Sequence, residues 1–310
     1  MSKSILIIKL GALGDMVQAT PAFAALRHHH ADDKITLLTT QPFHDLAQKL
    51  GYFDTIWIDD RAKLYQLKKL LSIPLALRRN NFHRVYDLQG VERTRLYSRL
   101  MKSSVDWIGP VFEDNHPQDR FRHQLERVGI SFDPSLNLRF IADHNKNFNL
   151  PKPYALLIPG ASNAHNGCKR WPQENYAALA THLLNQEIQP VVIGGPGESF
   201  PQIKDSIDLT GCTTFYQVIA LAEGALFAIG NDTGPMLLAA SGGCPTVTFF
   251  SDRNPPTLGG AQGPKNQSLF SPDLEDLSVQ TVIDFLCPLT TNTPAPRSLS
   301  DEGLQTHPCL

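Results

Sequence analysis

The chain has 310 residues, 42% of them apolar and 19% charged, with a formal charge of −2. This composition excludes a polar disordered chain, and the length suits two domains better than a single core. No apolar run reaches eighteen residues, so no membrane-spanning helix is expected, and the five cysteines (Cys168, Cys212, Cys244, Cys287, Cys309) form no C-x-x-C pair, which argues against a zinc ribbon or a disulfide framework and fits a reducing cytoplasm.

From the N-terminus, residues 5–10 predict a buried strand, the apolar run being too short for a signal segment. A glycine turn follows, and a helix is predicted over 16–30. Strands are expected again at 35–39, 55–58 and 84–88, with helices at 43–50, 64–79 and 92–101. The second half repeats the scheme, with strands at 154–158, 190–193, 227–229 and 246–250 and helices at 173–185, 214–222, 235–240 and 279–286. Short buried strands alternating with helices imply α/β architecture, with parallel sheets joined by right-handed crossovers. Residues 131–153 are rich in Asn and Asp and punctuated by Pro134, Pro151 and Pro153, so the domains are expected at 1–150 and 151–287. Residues 288–310, dominated by Pro, Ser and Thr, are expected to form a disordered tail.

The charge is unevenly spread. Residues 61–102 hold eleven Lys or Arg against two acids, Asp87 and Glu92, a local charge of +9. Such a stretch serves a phosphate- or carboxylate-rich partner or an anionic membrane surface, or it is a set of solvated helix faces.

Four strand ends carry residues suited to chemistry. Lys9-Leu10-Gly11-Ala12-Leu13-Gly14-Asp15 brings a glycine turn and a helix start to the edge where α/β proteins bind ligands; Asp15 is either a reactive carboxylate there or a helix cap. The spacing is not that of a dinucleotide fingerprint, since the middle glycine is missing and Thr39-Thr40-Gln41 stands where an acid should end the second strand. Pro159-Gly160-Ala161-Ser162, followed by Lys169-Arg170-Trp171-Pro172, offers amides, a hydroxyl and a mobile cation to a diphosphate, or is an exposed basic loop. Gly194-Gly195-Pro196-Gly197-Glu198 delivers a carboxylate that either accepts ribose hydroxyls or starts a helix. Asn231-Asp232-Thr233-Gly234-Pro235-Met236 is another strand-to-helix turn, with Asp232, Thr233 and the Gly234 amide facing phosphate or sugar, or with Asp232 as a plain cap. His28-His29-His30 ends a helix, where histidine suits the dipole, and no metal site is expected; Trp57, Trp107 and Trp171 read as packing groups.

Taken together, residues 9–15 with Pro21, Tyr86-Asp87-Leu88-Gln89-Gly90, and the three later turns resemble glycosyltransferase family 9, the lipopolysaccharide heptosyltransferases, over almost the whole chain. The resemblance implies the GT-B fold, two Rossmann-like domains whose parallel sheets face a central cleft. It implies an inverting, metal-independent transfer without a cofactor, typically of heptose from ADP-heptose to the lipopolysaccharide inner core. In that reading Asp15 is the general base and Gly11 and Gly14 form the glycine loop. Ser162 and Lys169 contact the diphosphate, Glu198 the ribose, and Asp232, Thr233 and Gly234 form the donor-side loop. Lys9, Gln89, Arg93 and Arg95 are expected to meet the acceptor. The partners implied are a nucleotide sugar and an anionic lipid-linked glycan, with the enzyme on the cytoplasmic face of the inner membrane and no nucleic acid. Where the family commonly has a histidine after Gly-Pro-Met, this chain has Leu237. The residues alone also admit a transferase or epimerase using another nucleotide sugar, and a non-catalytic nucleotide- or glycan-binding member.

Overall fold

The computed structural model describes residues 2–60, 67–111, 116–131, 133–161, 169–198 and 203–290. The first half folds in the order β1 (Ser4–Ile8), α1 (Leu13–Gln18), α2 (Thr20–His29), β2 (Lys34–Thr39), α3 (His44–Leu50), β3 (Thr55–Ile58), α4 (Leu67–Arg79), β4 (Arg84–Asp87), α5 (Glu92–Leu100), β5 (Asp106–Ile108) and α6 (Pro117–Glu126). Its five strands are all parallel, in the order β3-β2-β1-β4-β5. Strand β1 is covered on both faces, as parallel strands are. Its alternate residues therefore divide: Ile5 and Ile7 join one core with Val17, Phe23 and Leu46, while Leu6 and Ile8 join another with Leu77 and Tyr97.

The second half contains β6 (Tyr154–Ile158), α7 (Gln173–Asn185), β7 (Gln189–Val192), β8 (Ile207–Asp208), α8 (Phe215–Gly224), β9 (Ala228–Asn231), α9 (Gly234–Ser241), β10 (Thr246–Phe250), β11 (Asn266–Phe270) and α10 (Val279–Thr290). Its six strands are parallel, in the order β11-β10-β9-β6-β7-β8. In each sheet the chain reverses its direction of winding between two central strands, β1 and β4 in the first and β6 and β9 in the second. The turns after these four strands hold Gly11, Gln89, Gly160 and Asp232. All four sit at a topological switch point, where open α/β sheets receive ligands.

The helix expected over 16–30 is two helices. Pro21 has no N–H to give to the Val17 carbonyl, and the Thr20 hydroxyl donates to that carbonyl instead, at 2.7 Å, as α2 begins. Helix α1 starts earlier than expected, with Ala12 at its N-cap position, so Asp15 is its third residue and not its N-cap. At the other end α10 runs to Thr290, three residues into the expected tail, with Pro288 inside its last turn; residues 291–310 lie outside the described part.

The two sheets are brought together by close packing of α1 on α9. A Cβ on Gly14 would lie 3.1 Å from Leu237 Cδ1, and one on Gly234 would lie 2.7 Å from Leu13 Cδ2. Elsewhere the Leu138 amide donates to the Ser241 carbonyl at 2.9 Å, and the Tyr216 hydroxyl to Asp45 at 2.5 Å. Among the described residues no helix is long and apolar enough to cross a membrane.

Candidate active site

Between the two sheets lies a cavity of about 440 Å³, lined from the first half by Ala12, Gly14, Asp15, Gln18 and Arg120, and from the second by Gly160, Lys169, Glu198, Asp232, Thr233 and Gly234 among others. Asp15 reaches it because α1 opens directly beyond the glycine turn. Its Oδ2 accepts the Ala12 N–H at 3.0 Å, half of a capping box, and the side chain keeps 42% of its surface exposed. A capping contact and a reactive carboxylate are thus not exclusive here, because the Ala12 bond uses only one of the two oxygens.

Lys9 stands behind Asp15. Its Nζ is 3.9 Å from Asp15 Oδ1, donates to the Leu88 carbonyl at 3.2 Å and lies 5.2 Å from the centre of the Phe121 ring. Burial lowers its pKa, and the neighbouring Asp15 charge opposes that shift. The adjoining turn is held by Asp87, whose Oδ1 accepts the Gln89 and Gly90 amides at 3.1 and 3.0 Å, while Gln89 Oε1 accepts the Leu10 amide at 2.8 Å. Burial raises the Asp87 pKa, and these amide donors work against it.

The second half supplies an opposing set. Glu198 Oε2 accepts the Gly195 amide at 2.8 Å and hangs over Gly160, whose missing side chain makes the room: a Cβ there would lie 2.5 Å from that oxygen. Lys169 Nζ pairs with Asp232 Oδ2 at 2.9 Å, and Asn254 Nδ2 donates to the same oxygen at 3.2 Å. Buried Asn231 ties the loops together. Its Oδ1 accepts from the Trp171 amide at 3.0 Å and the Tyr176 hydroxyl at 3.2 Å, and its Nδ2 donates to the Pro159 carbonyl at 2.8 Å. Thr233 holds the N-cap position of α9 without a side-chain bond to it, its hydroxyl donating instead to the Asn231 carbonyl at 3.3 Å, so the first amides of that helix carry no side-chain cap beside the cavity that Thr233 and Gly234 line.

Of the residues singled out in the sequence, Gly14, Asp15, Lys169, Glu198, Asp232, Thr233 and Gly234 line this one cavity. Gly11, Gln89 and Arg93 instead line a second cavity of about 770 Å³ on the first half, which shares Ala12 with the cleft. Gly11 has φ +102°, and a side chain there would strike the Phe43 ring. The Arg93 guanidinium is engaged by buried Asp59 at 2.6 and 2.7 Å, and Tyr97 also donates to that carboxylate at 2.7 Å. Lys9 is buried and lines a smaller cavity of about 150 Å³ with Asp15, Gln89 and Arg120, while Arg95 is exposed on α5 and lines neither of the two larger cavities. Ser162 lies outside the described residues.

The sequence reading missed Gln18, Arg120 and a bridge on the Gly260 carbonyl, which accepts Gln18 Nε2 at 3.0 Å and His116 Nε2 at 2.9 Å. His116 Nδ1 accepts the Gln118 amide at 3.2 Å as the cap of α6, which leaves the proton on Nε2. Burial lowers its pKa. These contacts span 144 and 242 residues, and no local pattern signals them. Two of the residues read as structural take such places: Trp171 is buried with Nε1 donating to the Leu277 carbonyl at 2.8 Å, and His30 is held between Asp33 and Tyr86, each at 2.9 Å. Among the described residues no three His, Cys, Asp or Glu side chains cluster as metal ligands.

The family model for glycosyltransferase family 9 (heptosyltransferase) matches residues 123–278, just over half of the chain. The chain belongs to this family. It is 23% identical over 295 residues to lipopolysaccharide heptosyltransferase 1 of Campylobacter coli, covering 79% of this chain and 83% of that protein. It is 24% identical over 331 residues to the enzyme of the same name from Escherichia coli K12, covering 92% and 99%. Among solved structures, E. coli ADP-heptose lipopolysaccharide heptosyltransferase II superposes with a TM-score of 0.71 at 18% identity, over 94% of this chain and 99% of that one. E. coli heptosyltransferase WaaC with ADP gives 0.69 at 19% identity, over 92% and 99%. The fold of this family 9 protein is therefore the expected GT-B arrangement, and the protein is a glycosyltransferase of the heptosyltransferase family.

Proposed function

We propose that this family 9 enzyme transfers heptose from ADP-heptose to a lipopolysaccharide inner-core acceptor with inversion at the anomeric carbon, on the cytoplasmic face of the inner membrane. In this reading residues 1–150 serve the acceptor and residues 151–287 hold the donor. The observation that carries it is one cavity shared by Asp15 from the first half and Lys169, Glu198 and Asp232 from the second.

An acceptor hydroxyl is a poor nucleophile, and Asp15 takes its proton as the new glycosidic bond forms. On the opposite side the bond to the nucleotide diphosphate breaks. Lys169 and the first amides of α9 take up the charge that develops there, in place of a metal ion or cofactor. Glu198 accepts the ribose hydroxyls, its carboxylate already oriented by the Gly195 amide. Asp232 and Thr233 meet the sugar and phosphate edge of the donor. Since Lys169 and Asp232 are paired at 2.9 Å, an arriving diphosphate must share or displace that contact.

Mass-spectrometric screening of nucleotide sugars with lipopolysaccharide core acceptors tests the assignment. Turnover of ADP-heptose ahead of UDP- and GDP-sugars supports it. Turnover of another donor, epimerisation without acceptor, or nucleotide binding with no turnover each replaces it by a different reading.

A further inference from the structure

Helices α4 and α5 lie side by side over one face of the first sheet. Ile73 and Leu77 of α4, Tyr97 of α5 and Met101 just beyond it pack inward against the Leu6 and Ile8 side of that sheet. At 100° per residue, Leu75 is turned away from the Ile73–Leu77 line, and it is 48% exposed. Leu96 and Leu100, one turn apart, are likewise exposed, Leu96 to 51%. Arg95 and Arg99 form a parallel exposed row, and exposed Arg78 and Arg79 end α4. Against these cations the two helices carry one acid, Glu92, at the start of α5.

A merely solvated helix pair interleaves acids with its bases and keeps its leucines inward. Here Leu75, Leu96 and Leu100 are exposed together with Arg78, Arg79, Arg95 and Arg99 on two neighbouring helices that carry a single acid between them. The face also continues into the 770 Å³ cavity, whose rim includes Val91 and Arg93 at the start of α5.

We propose that the α4–α5 face docks on the anionic headgroups of a lipid bilayer, its arginines against phosphates and Leu75, Leu96 and Leu100 in the headgroup layer. This deepens the reading of a lipid-linked acceptor and rests on it for its purpose: docking there brings the mouth of the first-half cavity to the membrane surface. Lipid binding itself is measured on vesicles that contain no glycan, so it is read separately from transfer.

The test is co-sedimentation of the full chain with phosphatidylglycerol/phosphatidylethanolamine vesicles and with phosphatidylcholine vesicles, at low and high salt. The chain is expected to partition onto the anionic vesicles and to be released by salt. Paired Arg78→Gln and Arg79→Gln substitutions should lower partitioning roughly thirtyfold, from two surface charges. Paired Leu96→Ser and Leu100→Ser substitutions should lower it about tenfold or more. Each pair is accepted only with ADP binding intact, and because the pairs share no residue, misfolding of one leaves the other to decide. Wild-type chain that stays in the supernatant with anionic vesicles at low salt overturns the proposal, as a face made for a soluble protein partner would require. Wild-type partitioning by either folded pair overturns it as well.

Discussion

Replacing Asp15 with Asn separates base chemistry from capping. Asn Oδ1 can still accept the Ala12 N–H that Asp15 holds at 3.0 Å, so the start of α1 is kept. What is lost is the charge 3.9 Å from Lys9. Two unit charges at that distance interact by about 4 kcal/mol at an effective dielectric of 20. Asp15 is 42% exposed, however, and solvent screening reduces its share of stability to about 1 kcal/mol. For a chain of this size that is a melting shift of a few degrees. The catalytic loss is of another order: removing a general base costs about 10²–10⁴ in rate, or roughly 3–5 kcal/mol of transition-state stabilisation. ADP affinity should hold, because in the proposed site the nucleotide is gripped by Lys169 and Glu198 from the other half. The expected result is near-normal ADP binding by calorimetry, a melting point within a few degrees of wild type, and kcat lowered at least about a hundredfold. Near-normal kcat in Asp15→Asn would refute the reasoning and leave Asp15 as a helix cap. A melting loss of ten degrees or more would show that the Lys9 pair is chiefly structural.

Lys169→Ala should weaken ADP binding about ten- to a hundredfold and leave adenosine unchanged, as expected for a charged hydrogen bond to phosphate; equal losses for both ligands would remove Lys169 from the diphosphate. Glu198→Gln should weaken adenosine as well as ADP, measured by the same calorimetry. Gly160→Ala would put a methyl 2.5 Å from Glu198 Oε2 and swing the carboxylate away, so its adenosine affinity should fall as in Glu198→Gln; unchanged affinity would show that Glu198 does not work from its observed position. His116 is held neutral by burial, its pKa below the ordinary 6.5, so the unfolded chain takes up a proton that the folded one resists. That contribution to stability is intact above pH 6.5 and lost as pH falls below it. The fall in melting temperature from pH 7 to 5.5 should be shallower in His116→Asn, and an unchanged slope would contradict the role given to His116.

The central strands and the turns after them were legible because each is a short apolar run ending in glycine or a small polar residue, and the chain repeats that pattern in both halves. The sequence was less informative where two rules compete. Pro21 suits the first turn of a helix, and it also forbids the bond that would continue the previous one; only the Thr20 hydroxyl on the Val17 carbonyl shows which rule applies. Strands β5 and β8 have three and two residues, and β11 buries little more than Leu269, so none leaves a period to detect. At the site, residue type was a better guide than sequence neighbourhood. Asp15, Lys169, Glu198 and Asp232 meet in one cleft, whereas Arg93 and Arg95, two positions apart, diverge because 200° of helix separates them. Arg93 is drawn to Asp59, 34 residues away, a pairing that no local pattern encodes.

The geometry of the cleft depends on how closely two helices approach. Leu13 lies over Gly234 and Leu237 over Gly14, so each helix places a leucine against a glycine of the other. Asp15 is two residues past Leu13, and Thr233 immediately precedes Gly234. The helix spacing therefore sets the gap between the proposed base and the donor loop. A side chain larger than hydrogen at either glycine would wedge the two halves apart at the place where, in the proposed reaction, the acceptor oxygen approaches the anomeric carbon. Leu237 is an apolar knob whose Cδ1 meets the Gly14 position, so the residue helps to hold the halves together. The Gly260 carbonyl, bonded by Gln18 from α1 and His116 from α6, braces the same approach from the other end of α1. One short helix thus carries the proposed base near its start and an inter-domain tie at its end.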